Sequence, residues 1–424
     1  MNSPIEVDVL IAGGGPAGLG AALAAARQGA KTLLVERYGF FGGVGAFGMG
    51  MPINQMQPGG KSRSAIHNLL VERLRAMGPH AAAFPKHAIV CNVEYLKVAA
   101  MDILDAAGCK YLLHCRVADA IVENNRVAGL VLATKQGLLP VKAAVTVDAT
   151  GDADAAFFAG AATLMGRETD GFLSPSTLCL IVSNINVEEA RAFGGAGMRN
   201  ICVIGRGKYP LLPERMHFEL APFPLENSLV INHAGTKLHG VLDASDAQGF
   251  TEIERFSRRQ AIQIVEAMRE FGPPSFKNVQ LAGTGVQTGV RETRRVDGLY
   301  HMTEQDAMNG ARFEDVVSWR SGWMDIGFVR FQEMQVHEVP YRALLPREMD
   351  GLLASGRCIS ATHVGASSGK SMGNCMGTGH AAGLAAALCV RHRCQPRELN
   401  VKVLQEALRH DGVDLEHRFE GNTF

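Results

Sequence analysis

Apolar and polar positions divide the 424-residue chain into stretches of different rhythm. EVDVLIA (6–12) is a short apolar run, the pattern of a buried strand, and a glycine turn then delivers the chain into an alanine-rich helix to Gln28. TLLVE (32–36) reads as the next strand, so the opening is strand–helix–strand, the start of a doubly wound parallel sheet. Residues 39–60 are glycine-rich and without periodicity. They read as a loop whose length points to function. Asn92 caps a helical spacing over VEYLKVAAMDILDAAG, and the residues from Cys109 to Asp152 read as strands joined by turns, with ENNR as one reversal.

Beyond about residue 155 the pattern weakens. LCLIVSN and NSLVIN are strand-like, and TEIERFSRRQAIQIVEAMREFG is a strong helix that Pro273 and Pro274 stop. LLASGRCIS (352–360) returns to strand character, and GNCMGTGHAAGLAAALCV (373–390) leads from glycines into small helix-forming residues. The expectation is an α/β protein. A doubly wound, Rossmann-like parallel-sheet domain is built from 1–155 and 340–424, with an inserted mixed α+β substrate domain over 156–339.

Composition narrows the function. Lys+Arg and Asp+Glu are both 42, and basic residues cluster only briefly, which argues against nucleic-acid or membrane-surface binding. No apolar run approaches the ~18 residues that cross a bilayer, and the start lacks the pattern of a secretory signal. Nine scattered cysteines without a CxxC or zinc spacing point to a reduced, cytoplasmic protein with no metal site.

The strongest chemical signal is Gly13-x-Gly15-x-x-Gly18 between strand and helix, completed by Glu36 at the end of the second strand. Gly13 permits the tight turn, Gly15 lets a pyrophosphate approach the backbone, and Gly18 lets helix pack on strand. The helix N-terminus attracts the anion and Glu36 can accept ribose hydroxyls. A dinucleotide site is expected, and the fingerprint is common to NAD and FAD. A second glycine set, Gly283-x-Gly285-x-x-x-Gly289 before three arginines, has NADPH-like spacing, but no apolar helix follows it.

Further stretches resemble FAD proteins. VDATGDADAAFFAGA (147–161) is similar to the second FAD fingerprint of glutathione-reductase-type flavoproteins, and ERYGFFGGVG (36–45) resembles their Glu-then-Gly-Gly segment. GLLASGRCISATHVGASSGKSMGNCMGTGHAAGLAAAL resembles their C-terminal flavin segment. With GVRETRRVDGLYHMTEQD (289–306), the chain resembles the FAD-dependent oxidoreductase family, near fumarate reductases and thiazole synthases. The resemblance implies FAD contacts at Gly13, Gly15, Pro16, Ala17, Gly18, Glu36, Arg37, Gly42 and Gly43. It implies them also at Val117, Thr150, Gly151, Asp152, Gly356, Gly373, Asn374, Gly377 and Gly379. It further implies that the first helix start faces the pyrophosphate and the last the pyrimidine end of the flavin. Arg357 departs from the Asp that many relatives carry after the corresponding glycine.

For catalysis, His363 is a base candidate, or else a structural histidine. Lys370 could hold a substrate carboxylate or sit near the flavin, and Arg291 is a candidate anion clamp. His337, His380 and Cys375 are weaker candidates. Glu292 and its arginines could instead form a buried ion network. The expected function is a dehydrogenase or oxidase passing a hydride from a small organic substrate to flavin N5, with an unknown electron acceptor. An NAD(P)H-dependent flavin monooxygenase and a flavoprotein with non-redox chemistry are the alternatives, and a homo-oligomer is left open.

Overall fold

The computed structural model describes residues 4–49, 51–85, 88–213, 217–219, 226–232, 241–326 and 331–416. The opening unit forms as its pattern predicts: β1 (Ile5–Ala12), α1 (Pro16–Arg27) and β2 (Thr32–Val35). The pattern continues through α2 (Ala65–Ala76), α3 (Val93–Ala106), β3 (Lys110–Leu112), β4 (Arg116–Glu123), β5 (Arg126–Thr134) and β6 (Gly137–Asp148). Asn92 caps α3, its side-chain oxygen accepting from Glu94 N–H at 3.1 Å. The ENNR reversal joins β4 to β5, with Asn124 and Asn125 at φ 49° and 61°, a left-handed conformation that asparagine tolerates. The 39–60 loop contains a short α-helical turn, Val44–Phe47, and a 3-10 turn, Pro58–Gly60.

β1 lies between β2 and β6, parallel to both, and β3 extends the parallel array beyond β2. The β4–β5 hairpin adds antiparallel to the first half of β6. Val9, Leu10, Ile11 and Ala12 are wholly buried, which is why β1 reads as continuously apolar.

The middle of the chain builds a second layer pair. β7 (Leu180–Ser183), α4 (Val187–Gly205), β8 (His217–Glu219), β9 (Leu229–Asn232), α5 (Ala247–Phe271) and β10 (Gln280–Thr284) follow one another. Their strands form an antiparallel sheet in the order β8-β9-β7-β10. The helix α5 starts ahead of Thr251 because the Asp246 carboxylate caps it, accepting from Gly249 N–H at 2.7 Å. This layer has its own core, from Leu180 to Val279, with Ile264, Met268 and Phe276 among its members.

The chain returns to the first sheet with β11 (Leu352–Ala354), parallel to the end of β6, and then α6 (Met372–His392). The first core already takes in Val296, Met302, Val316 and Val339, ahead of the return at 340 that the sequence pattern implied. The physical reason is that this segment is apolar at separated positions, without a period that would mark its packing partner.

The helices α1 and α6 lie directly against each other. A Cβ on Gly379 would collide with the Ala17 carbonyl, and one on Gly383 with the Ala21 carbonyl. In return, a Cβ on Gly20 would stand 3.1 Å from the His380 nitrogen. The glycines let the two backbones touch.

Candidate functional site

A cavity of about 540 Å³ opens where the C-terminal ends of β1 and β6 meet the starts of α1 and α6, with the second layer as its far wall. Strand ends at a helix start are where doubly wound sheets bind ligands. The volume is within the range of sites that enclose cofactor-sized molecules.

On the α1 side, Gly15, Pro16 and Ala17 line the wall. Gly15 is the N-cap and carries no side-chain acceptor, so the first-turn N–H groups lack a capping group. A Cβ at Gly15 would meet only the Gly43 Cα, at 3.8 Å, so this backbone is bare toward the cavity. Gly43, at φ 54°, is the facing surface. A bare helix start of this kind has free N–H groups that can receive an anion. Gly13 and Gly18 do not line the cavity. A Cβ on Gly13 would lie 2.6 Å from the Ala149 carbonyl oxygen, and one on Gly18 would run into Gly13. They shape the turn and the helix–strand contact, as the fingerprint requires.

Glu36 and Gly42 brace this loop from behind. The Glu36 carboxylate accepts from Gly14 N–H at 2.6 Å and Tyr38 N–H at 2.9 Å, and Gly42 N–H donates to Gly14 O at 2.9 Å. Burial raises the Glu36 pKa above the ordinary carboxyl value, against those two backbone donors. Arg37 does reach the wall, donating to Gln287 Oε1 at 2.9 Å.

The Ala149–Asp152 turn supplies Thr150, Gly151 and Asp152. Asp148, wholly buried below it, holds the turn: it accepts from Thr150 N–H at 3.0 Å, Thr150 Oγ1 at 2.7 Å and Ala156 N–H at 2.9 Å. Gly356 and Arg357 close the adjacent wall. Arg357, the departure noted in the sequence, donates to Asp152 at 2.6 Å. Burial works to raise the Asp152 pKa, but Arg357 and the Thr293 hydroxyl hold it below the ordinary range.

Gly373, Asn374, Gly377 and Gly379 lie off the cavity wall. Gly379 meets α1, and Gly373 abuts the Gln55 backbone. A Cβ on Gly377 would be 2.8 Å from Ser318 Oγ, and Asn374 bonds Arg63 and the Ser321 carbonyl. Close approach is needed at the three glycines, but protein makes it. Only Ser371, Met372 and Cys375 of this helix start face the cavity. Val117, 7% exposed in β4, is likewise absent from the lining.

The catalytic candidates separate into two groups. Arg291 and Lys370 line the cavity together with Asp325. Asp325 Oδ2 lies 3.4 Å from Arg291 Nε and 3.3 Å from Lys370 Nζ, and Lys370 also donates to the Asp325 carbonyl. Arg291 donates further to Pro175 O at 2.9 Å and to Thr177 Oγ1. Burial pushes the Lys370 ammonium down to about 8, opposed by Asp325 and reinforced by Arg291.

His363 lies elsewhere, 2% exposed, with its ring edge-on to Phe172 and Nδ1 at 2.9 Å from Glu292. Glu292 also pairs with Arg295 and accepts from Ser174 N–H at 2.9 Å. Burial opposes ionisation of Glu292, yet His363 and Arg295 hold its pKa below the ordinary value. The helical turn that starts at His363 points its ring toward this network, away from the cavity. His337 and His380 are also buried off the cavity, against Gln335 O and Asp411 respectively. Sequence reading missed Asp325, Gln287 and Asn232 on the wall. Isolated polar residues in irregular segments carry no spacing signal that would have found them. Among the described residues, no group of three His, Cys, Asp or Glu is arranged to hold a metal ion, and no helix is long and apolar enough to cross a membrane.

Residues 8–408 match the model of the family described as FAD dependent oxidoreductase. The chain belongs to that family. The chain is 34% identical over 156 residues to the thiamine thiazole synthase of Methanococcus vannielii, covering 35% of the present chain and 57% of the relative. It is 29% identical over 155 residues to that of Pyrococcus horikoshii, covering 35% and 58%. The chain thus spans a little over half the length of these curated relatives. Two solved structures share the fold over most of the chain. A geranylgeranyl bacteriochlorophyll reductase-like protein of Thermoplasma acidophilum matches at TM-score 0.50 and 14% identity, over 96% of this chain and 84% of that one. The anhydrotetracycline hydroxylase OxyS of Streptomyces rimosus matches at 0.51 and 13%, over 98% and 71%. The bare Gly15 backbone and the open helix start fit the cofactor that the family implies.

Proposed function

We propose that the enzyme is a dehydrogenase or oxidase of a small carboxylated molecule, acting in a reducing, cytoplasmic compartment. Gly15, Pro16, Ala17 and Gly43 would hold the FAD pyrophosphate, with Arg37, Thr150, Gly151, Asp152 and Gly356 along the rest of the cofactor. Residues 156–339 would act as the substrate domain, since Thr177, Cys179 and Asn232 from it face the same cavity. Bound FAD supplies a two-electron acceptor at N5 for a hydride leaving a substrate carbon.

The observation that carries the substrate class is the pairing of Arg291 and Lys370 on one wall, with Asp325 between them. Across the whole lining, Arg37, Arg291, Arg357 and Lys370 face the carboxylates of Asp152 and Asp325, so an entering carboxylate would meet a cationic surface. The nine cysteines are free, eight of them buried, in keeping with the reducing compartment. The NAD(P)H-dependent alternative draws no support from Gly283, Gly285 and Gly289. That stretch runs from β10 into extended chain, with no helix start to receive a phosphate.

The test is the visible spectrum of the FAD-loaded protein, mixed anaerobically with hydroxy acids, amino acids, neutral alcohols and NAD(P)H. Bleaching by a carboxylated donor is expected. Bleaching by neutral donors alone, or by NAD(P)H alone, overturns the reading, and a flavin that no donor reduces favours the non-redox alternative.

A further inference from the structure

Among the described residues, the buried Arg295 and the half-buried Arg357 each have a carboxylate beside them. Arg295 pairs with Glu292 and Arg357 with Asp152. Arg63 and Arg320 do not. They are 5% and 2% exposed, and among the described residues neither has a carboxylate within ion-pair distance. Arg63 donates to Asn374 Oδ1 at 2.6 Å and to the Trp319 carbonyl, and its guanidinium lies 3.8 Å from the Trp319 ring centre. Arg320 donates to Gly365 O at 3.3 Å and Ser368 Oγ at 3.2 Å, while its buried Nε has no partner. The loop packs directly over it: a Cβ on Gly369 would fall on the guanidinium.

Two guanidinium charges in a protein interior without an anion in contact are costly, and Arg320 has only Asp306 acting on it from beyond ion-pair distance. Both charges act on one place, the first turn of α6. Arg63 bonds Asn374, and the loop over Arg320 leads into Ser371, Met372 and Cys375 on the cavity wall. The Cys375 thiol reports the field: burial pushes it up to about 11, with Arg320, Arg357 and Arg63 opposing. The start of α6 adds its own positive end in the same direction. Burial also pushes Arg63 down to about 9 and Arg320 to about 10, so both remain charged at neutral pH.

The anion that appears during turnover is the reduced cofactor. Two electrons and one proton convert the neutral flavin ring into a monoanion, so reduction adds one negative charge to the site. We propose that Arg63 and Arg320 are positioning residues that hold an uncompensated positive field at the α6 end of the cavity, stabilising anionic reduced flavin and raising its reduction potential. They act from behind the first turn of α6, through Asn374 beneath it and Cys375 on the wall, without touching substrate. The inference rests on the FAD assignment and on no particular substrate.

The test is the equilibrium reduction of the FAD-loaded protein against a reference dye, with sulfite titration, which probes the same field through a flavin anion. In Arg63→Met and Arg320→Met, the sulfite dissociation constant should rise about tenfold, with a midpoint about 30 mV more negative, the two-electron equivalent of tenfold. Arg320→Lys, which keeps the charge, should remain within about threefold of the parent. Variants that keep FAD but show unchanged potential and sulfite affinity overturn the proposal. Should the methionine variants not fold, the parent protein decides alone. One proton per two electrons gives a slope of about 30 mV per pH unit between pH 6 and 8, whereas twice that slope means a neutral reduced flavin and ends the proposal. A protein that takes up no FAD would fail the cofactor assignment instead.

Discussion

Arg291 and Glu292 are neighbours in sequence and belong to opposite electrostatic worlds. Glu292 sits in a closed network, its carboxylate answered by Arg295, His363 and the Ser174 N–H. Arg291 faces a cavity, where it and Lys370 both reach Asp325. The residue types are similar, and what differs is whether charge is balanced within the protein or in part by something that enters. A balanced buried network is structural, whereas a surplus facing an open cavity is a binding device.

Breaking the closed network should have the largest effect. Glu292→Ala leaves the Arg295 charge buried without its partner and should cost about 3–5 kcal/mol of stability, read as a lowered denaturant midpoint. A loss below ~1 kcal/mol would mean that the network is not balanced as described. The pH sign follows from the lowered Glu292 pKa. Its contribution is complete above the unfolded-state value and is lost as pH falls through the folded-state value.

Opening the other side, Arg291→Ala should lower kcat/KM for carboxylated donors by about 30- to 150-fold, or ~2–3 kcal/mol of charge-assisted binding. Neutral donors should be nearly unaffected. An equal fall for both kinds would show that Arg291 holds the wall and not the carboxylate.

The smallest effect, and the sharpest for the comparison, belongs to Lys370. Its charge is lost as pH rises through about 8, so KM for acids should climb above that pH. Lys370→Met should raise KM several-fold at neutral pH and make it pH-independent; a Met variant that keeps the wild-type profile removes Lys370 from the site. Stability gives a second readout. The folded-state pKa of Lys370 lies below the ordinary lysine value, so the folded chain binds fewer protons between the two and gains stability as pH rises across that window. The Met variant should lose that gain.

The local and periodic features were legible in the sequence. The strand–helix–strand opening, the Asn92 cap, the ENNR reversal and the α5 helix depend on neighbours within a few residues, so a one-dimensional pattern contains them. Gly13, Gly15 and Gly18 were readable for the same reason: their roles differ, but a single turn uses them all. Tertiary structure alone decided which glycines face the cavity and which face protein. The absence of a Cβ serves either purpose, and only the placement of α6 against α1 shows that Gly379 and Gly383 admit a helix while Gly15 stays open. It also decided that His363 turns to Glu292 while Lys370, seven residues on, reaches the cavity. Asp325 joined the site from a segment with no readable spacing. Charge balance is a sum over space, and sequence order does not carry it.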